Sequence, residues 1–286
     1  MMLTGSCWNG FHPVDMVALF SVPVVLAIVF SLSPSTRQSL VFEYTDPSLV
    51  TAFTAPFVHL SVGHLAVNVL GYAVVVAAAY LLSVASGRRQ RFFVAFVTFV
   101  FVLPVLLSYL NLAVVRPTAG LGFSGIVMAF VGYLPLALAD YLEERVDVGP
   151  SETLAPMFFF LSIALVAGLS VQSVQQERAT VLLGTSGIVV ASMLSASLYW
   201  LSVPDRATEI LAKVKTATRM PGHIELFSAA SVVFVTFFFV AFPPDPAGSA
   251  TIVNVYVHLL GYALGFITTY TTIVVGSRLP GPGTVV

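Results

Sequence analysis

The sequence predicts an all-α, polytopic membrane protein, a bundle of about eight transmembrane helices. Of its 286 residues, 58% are apolar and 9% are charged, whereas a soluble globular domain is about a quarter charged. Eight long apolar stretches contain no Asp, Glu, Lys or Arg, and about 20 apolar residues span a bilayer as a helix. We therefore expect residues 1–286 to form a single membrane-embedded domain.

The predicted spans follow one another along the whole chain. The first lacks the preceding positive residues and the following small-residue cleavage pattern of a signal peptide, so we expect it to be retained. Pro23 inside it predicts a kink. The eight spans are residues 16–33, 63–83, 92–112, 123–139, 154–171, 180–202, 226–242 and 252–275.

Lys and Arg residues are distributed unequally between the two sides of the predicted bundle. If the N-terminus is cytoplasmic, nine of the 12 lie on the inner side and three on the outer side. This is the asymmetry that the positive-inside rule describes. We expect a multi-pass protein of the plasma membrane with both termini in the cytoplasm.

Two connections and the tail lie outside the spans. Residues 34–62, on the outer side, contain apolar side chains such as Phe53 and Phe57, so part of this segment is expected in the membrane interface. For the inner loop 203–225 we favour a solvated charged loop over a short amphipathic surface helix. Residues 279–286, which include Pro280 and Gly281, predict a flexible tail.

Charge and ligand patterns exclude several function classes. The net charge is −1, and no long basic cluster offers a nucleic-acid surface. The single cysteine, Cys7, cannot form an internal disulfide. His59 and His64 are five residues apart, which does not fit the i, i+4 spacing of helical metal ligands. We expect no metal and no cofactor.

Three sets of polar and small residues fall near the outer ends of predicted spans. Each polar side chain in a membrane helix needs a partner or water, so several at one depth predict a functional site. The sets are His59, His64 and Asn68 around the start of the second span, Gly122-Phe123-Ser124-Gly125 at the start of the fourth, and His258, Gly261 and Gly265 in the last.

These residues could together carry out acyl transfer. Ser124 would be the nucleophile and His258 the base that takes its proton. Asn68, His64 and the backbone amide of Ser124 could stabilise the oxyanion. No Asp or Glu lies within the spans to orient His258, so we expect a dyad whose imidazole is held by packing against the glycine faces. Taken singly, each residue is more often a packing residue, and only their joint occurrence favours a site.

Together, the three motifs resemble the rhomboid family of intramembrane serine proteases. The residues from His59 to Asn68 are similar to that family's His-x4-His-x3-Asn pattern, those from Gly122 to Gly125 to its Gly-x-Ser-Gly helix, and those from His258 to Gly265 to its His-x2-Gly-x3-Gly helix. The resemblance implies a rhomboid-like core and a serine endopeptidase that cleaves transmembrane proteins in or near their membrane segments, with the lipid bilayer as its surroundings.

The chain departs from the family pattern at several positions. Tyr80 replaces the family's glutamate, and Met128 stands where members often have an aromatic residue that stacks on the histidine. Three predicted spans separate Ser124 from the last one, whereas the family has one helix between its serine and histidine helices. Ser186, in a second Gly-x-Ser-Gly, is one span away from His258 and is the alternative nucleophile. We favour Ser124 because Ala129 and Gly132 continue its motif.

Two other functions fit the composition. One is a catalytically inactive rhomboid-like protein that binds or escorts membrane helices. The other is a small-solute transporter, in which Gly or Pro residues would interrupt matching spans of two halves. Pro23, Pro104 and Pro135 do not pair in this way, so the protease is the favoured prediction.

Overall fold

The structure, a computed structural model, describes residues 12–114, 119–172, 179–204, 207–219, 221–243 and 253–278. The regular secondary structure in these residues is helical apart from one pair of two-residue strands. The helices are α1 (Pro13–Ser31), α2 (Pro34–Ser39), α3 (Leu49–Thr54), α4 (Val62–Ala85), α5 (Arg89–Phe101), α6 (Leu103–Leu110), α7 (Ser124–Tyr141), α8 (Ser151–Gln172), α9 (Ala179–Leu201), α10 (Ala207–Ala217), α11 (His223–Ala241) and α12 (Val255–Arg278). Strands β1 (Phe42–Glu43) and β2 (Ala119–Gly120) pair antiparallel.

The helices correspond to the predicted spans. In the described part of the chain, seven helices are long and apolar enough to cross a membrane, and the bent pair α5–α6 makes an eighth if it counts as one span. The prediction of an all-α, multi-pass bundle is therefore confirmed. Helix ends lie within a few residues of the predicted limits because charged residues mark the ends of the apolar runs.

The third predicted span is not one straight helix. It breaks at Val102 into α5 and α6, whose axes differ by 49°. Pro104 lies in the first turn of α6. A proline there has no N–H to donate to the preceding turn, so the helix ends and restarts. The bend turns the end of α6 towards the first residues of α12, and Asn254, just before α12, donates to Asn111, just after α6.

Helix α7 is the centre of the bundle. Of its most apolar 18-residue window, 94% is buried, whereas the corresponding value for α9 is 11%. Helices α4, α8, α11 and α12 all pack against α7, while α9 packs on α8. Small residues along α7, among them Gly125, Ala129 and Gly132, allow neighbouring backbones to approach closely. The helix that carries Ser124 is therefore enclosed by protein on nearly all sides.

Buried ion pairs tie the helices together at the end of the bundle opposite Ser124. Asp15 of α1 accepts hydrogen bonds from Arg89 of α5 and from the hydroxyl of Tyr80 in α4, the latter at 2.6 Å. Asp140, near the end of α7, pairs with Arg91 at 2.6 Å. Because removing one member of a buried pair leaves an uncompensated charge, these contacts fix α1, α5 and α7 relative to one another. Tyr80 belongs to this network through its hydroxyl, which donates to Asp15.

The connections contain more regular structure than we expected. The segment 34–62 folds into α2, β1, α3 and a 3₁₀ turn at Ala55–Phe57. For residues 203–225, the favoured interpretation as a solvated loop is wrong, because α10 forms there and packs Ile210 and Val214 against the core. Lys213 on the same helix donates to the carbonyl of Asp147. The tail 279–286 lies outside the described residues.

Candidate active site

Helices α7 and α12 are in direct backbone contact through their glycines. A Cβ added at Gly261 would overlap the carbonyl oxygen of Gly125, and one at Gly265 would overlap that of Ala129. A Cβ at Gly132 would likewise overlap the α12 backbone. The contacts advance together along both helices, so the two helices run parallel. This arrangement places the N-terminal turn of α7 beside the N-terminal turn of α12, and so brings Ser124 and His258 to the same level of the bundle.

Ser124 is the first residue of α7 and lines a cavity of about 50 Å³. By the same measure a water molecule needs about 10–15 Å³, so the cavity has room for a few waters. Gly122 and Gly125 line the same cavity, together with Leu107 of α6 and Val257 of α12. The first amides of a helix have no partner within the helix. Ser124 therefore has a hydroxyl, unpaired helix amides and space for water in one place.

The imidazole of His258 is oriented by a main-chain carbonyl. Its Nδ1 lies 2.9 Å from the carbonyl oxygen of Ala241, the last residue of α11. Since a carbonyl only accepts, Nδ1 carries the proton and Nε2 has the free lone pair that a general base needs. The ring of Phe242 also approaches that of His258, with centroids 6.4 Å apart. This contact comes from α11, whereas Met128 of α7 packs near Gly261.

Ser124 and His258 are not bonded to each other in this structure. Among the hydrogen bonds between described residues, none joins Ser124 Oγ to His258. Catalytic hydrogen bonds are often long or absent without substrate and tighten in the substrate complex. The geometry thus places a histidine whose Nδ1 is bonded to Ala241 on the helix that contacts the serine helix, without a preformed bond to Ser124.

His64 lies directly beside the turn that precedes Ser124. Gly122 has φ +100°, a conformation that favours glycine, and a Cβ there would lie 2.6 Å from Cε1 of His64. Glycine is therefore required at residue 122 by both its backbone and its neighbour. Asn68 is buried one turn further along α4 and donates to the carbonyl oxygen of His64 at 2.9 Å. The amide of Asn68 has a second N–H beyond that bond.

His59 is hydrogen-bonded to the residue that precedes α7, and in the described part of the chain no hydrogen bond joins it to Ser124 itself. Its Nε2 accepts a hydrogen bond from the backbone N–H of Phe123 at 3.5 Å, and its Nδ1 lies 3.3 Å from the carbonyl of Phe57. Burial, with a further contribution from the charge of nearby His64, lowers the pKa of His59 to about 4. A neutral imidazole with its proton on Nδ1 satisfies both bonds at neutral pH. His59 thus connects the segment 34–62 to the residue before Ser124.

Ser186, the alternative nucleophile, lies elsewhere. It is exposed on α9, and the neighbouring Gly184 and Gly187 have no atom within 4 Å of an added Cβ. Helix α9 packs mainly on α8, and Ser186 is not among the residues that line the cavity beside Ser124. The structure therefore brings Ser124, His64 and the glycines of α7 and α12 together, and leaves Ser186 on an open helix face.

The sequence analysis missed three polar residues around this site. Arg37 of α2 donates to the carbonyl of His59 at 2.8 Å and packs over the ring of Phe30. Asn254 accepts from the amide of Val257 at 3.2 Å and donates to Asn111 at 3.3 Å. Asn111 and Asn254 lie inside predicted spans, where an amide needs a partner, and this could have identified them. Both line the cavity beside Ser124.

Metal chemistry has no obvious ligands in the part of the chain that the structure describes. No group of three or more His, Cys, Asp or Glu side chains is placed there to hold a metal ion.

Comparison of the chain with protein-family models, curated proteins and solved structures finds no match.

Proposed function

We propose that this protein is a rhomboid-like intramembrane serine protease that uses Ser124 and His258. The observation that carries the proposal is the parallel, glycine-mediated contact of α7 and α12. That contact sets a helix-start serine, on a cavity with room for water, at the same level of the bundle as a histidine whose Nδ1 is already bonded. Each of these features has a packing explanation alone, and together they provide the components of serine-dependent acyl transfer.

The proposed reaction begins with proton transfer. His258 Nε2 takes the proton of Ser124 Oγ as the oxygen attacks a substrate carbonyl carbon. The resulting imidazolium then gives this proton to the leaving amine, and the C–N bond breaks to leave an acyl-enzyme. A water molecule in the cavity, deprotonated by the same nitrogen, attacks the ester carbonyl; the bond from the acyl carbon to Ser124 Oγ then breaks, and the imidazolium returns the proton to Oγ as the acid product leaves. The Ala241 carbonyl keeps His258 in one tautomer, the orienting part of the role that a carboxylate plays in a triad.

Donors for the oxyanion come from two helices. The backbone amide of Ser124 is available at the start of α7, and His64 lies against Gly122 two residues earlier. The second N–H of Asn68 is the third candidate donor, since the first is bonded to the His64 carbonyl. Gly125, Gly261 and the other interface glycines support the site by keeping the two helices close.

The substrates in this proposal are transmembrane proteins. A helical peptide bond has its carbonyl engaged in the helix, so the substrate must unwind before attack and its backbone must be satisfied in a hydrated cavity. The positive-inside distribution of charges supports an orientation with Ser124 towards the outer side and both termini in the cytoplasm. We infer a plasma-membrane enzyme that cleaves near the outer leaflet and needs no cofactor.

Labelling with a fluorophosphonate tests the proposal. The purified protein in detergent micelles is treated with the reagent, and the modified residue is mapped by mass spectrometry. We expect the label on Ser124, its loss in Ser124→Ala and His258→Ala, and no effect of Ser186→Ala, the matched control in the second Gly-x-Ser-Gly. Label on Ser186 would overturn the choice of nucleophile, and a folded protein with no label would overturn the activity.

An inactive helix-binding protein is the second candidate. The observation that favours it is that no hydrogen bond joins Ser124 to His258 among the described residues. In that case Ser124→Ala and His258→Ala would leave the association with a transmembrane partner unchanged, and the parent would cleave no partner. Cleavage of a transmembrane segment that stops in Ser124→Ala would exclude this candidate.

A further inference from the structure

An apolar cleft of about 260 Å³ lies between α7, α8 and α11. It is separate from the cavity beside Ser124. Its apolar walls come from Leu138 of α7, Phe158 and Leu165 of α8, and Phe227, Phe234 and Phe238 of α11. Helix α8, which forms one wall of the cleft, is one of three spanning helices between α7 and α12 in the described part of the chain.

Water cannot fill the cleft. Its polar groups are the hydroxyls of Ser162 and Ser231, and Ser162 is already bonded to the carbonyl of Phe159 and to Tyr262. A buried water needs about two to four polar partners. A void of this size with no occupant would also forfeit the dispersion contacts of its aromatic walls. An apolar occupant is therefore required.

The mouth of the cleft is continuous with the surface that faces the bilayer. Leu161 of α8 and Val235 of α11 line the cleft and are 40% and 46% exposed. Both belong to helices that are long and apolar enough to cross the membrane. The medium outside the mouth is therefore hydrocarbon, and its flexible component is the lipid acyl chain.

The cleft also leads towards the proposed base. Phe234, Phe238 and Phe242 follow one another along α11 with ring centroids 5.1 Å and 6.3 Å apart, and Phe242 faces His258. Ala241, which holds Nδ1 of His258, lies at the end of the same helix. Helix α11 packs mainly on α4 and α7 and makes few contacts with α8, so on the α8 side the occupant of the cleft is its main neighbour.

We propose that the cleft binds one acyl chain of a membrane phospholipid, and that this chain holds α11 in the position from which Ala241 orients His258. The binding site stands on the cleft alone. The effect on His258 rests on the proposed function.

Photochemical labelling tests the binding site. The protein is reconstituted in phosphatidylcholine vesicles that contain an analogue with a diazirine in its acyl chain, and cross-linked residues are mapped. We expect labelling of Phe234, a residue only 8% exposed that lipid reaches through the cleft. The label should be lost in Ser231→Trp, which fills the cleft, and kept in Ser228→Trp, which adds the same side chain at an exposed residue of α11.

A different labelling pattern would contradict the lipid site. Labelling of only the outward residues Val232 and Phe239, which are 64% and 53% exposed, would show lipid around the protein but none in the cleft and would overturn the proposal. If Ser231→Trp does not fold, as judged by gel filtration, Ser231→Leu provides a smaller filling side chain for the same comparison.

The rate of fluorophosphonate reaction tests the effect on His258. The rate of the parent and of Ser228→Trp should fall when phosphatidylcholine is removed from the micelles, while Ser231→Trp should keep its rate because a protein side chain replaces the acyl chain. Equal lipid dependence in all three proteins would overturn the coupling. Labelled Phe234 with no reaction in any protein would refute the protease and leave the lipid site intact.

Discussion

Replacement of Gly261 by Ala is expected to separate α12 from α7. The new Cβ would overlap the carbonyl oxygen of Gly125 and lie 3.0 Å from its carbonyl carbon. Ordinary contacts of a Cβ begin at 3.4 Å, so the carbon alone requires a shift of 3.4 − 3.0 = 0.4 Å, and the oxygen requires more. Both obstacles are backbone atoms, which cannot rotate away. Overpacking of this kind costs about 1–3 kcal/mol of stability, and a displacement of about 1 Å at a reaction centre costs about 10² in rate.

The assay compares two glycines that differ only in their surroundings. Thermal unfolding and the initial rate of cleavage per folded molecule are measured in micelles for Gly261→Ala and for Gly184→Ala. A Cβ at Gly184 meets no atom within 4 Å, and alanine is the better helix former by about 1 kcal/mol, so this control should keep its activity and lose no stability. A Gly261→Ala protein that matches the control in both measurements would refute the reasoning.

Three further outcomes are expected. Asn68→Ala should slow cleavage about 10²-fold at unchanged KM, because an oxyanion donor acts in the transition state; initial rates of folded protein measure this, and a parental rate would remove Asn68 from the site. With the pKa of His59 lowered from 6.5 to about 4, the unfolded chain binds more protons between these values. Thermal unfolding should therefore show stability rising by about 3 kcal/mol in total as the pH is raised from 4 to 6.5, and rising less in His59→Gln. Arg37→Gln should lower the melting temperature and kcat, and Arg37→Lys should restore neither, since lysine lacks the planar guanidinium that donates to His59 while it packs over the ring of Phe30.

The bundle was predictable from the sequence because the membrane imposes a simple rule on composition. Charges are excluded from the hydrocarbon, so charge-free runs mark the helices. The bend at Val102 was not predicted, although Pro104 was visible, because a proline near the middle of an apolar run can either kink a helix or end it. A charged loop was favoured over helix α10 because the apolar side chains of this helix, such as Ile210, pack against the core only in the folded protein.

The contact between α7 and α12 was also open to prediction, while the partner of His258 was not. Each helix carries small residues spaced along one face, and such faces pack closely in membranes. These residues are Gly261 and Gly265 on α12, and Ala129 and Gly132 on α7. The acceptor for Nδ1 is the carbonyl of Ala241. Every residue has such a carbonyl, so no residue type or spacing reveals which one will lie beside an imidazole.

The two Gly-x-Ser-Gly segments show why a short motif cannot identify a nucleophile. Gly122-Phe123-Ser124-Gly125 and Gly184-Thr185-Ser186-Gly187 differ at one residue, yet the first opens the most enclosed spanning helix and the second lies on an exposed one. The difference arises two turns later. Gly132 allows the backbone of α12 to reach α7, whereas Met193 and Leu194 project from α9 with 46% and 62% exposure. A serine is a candidate nucleophile only where the following residues of its helix are small enough for the helix with the proposed base to pack against them.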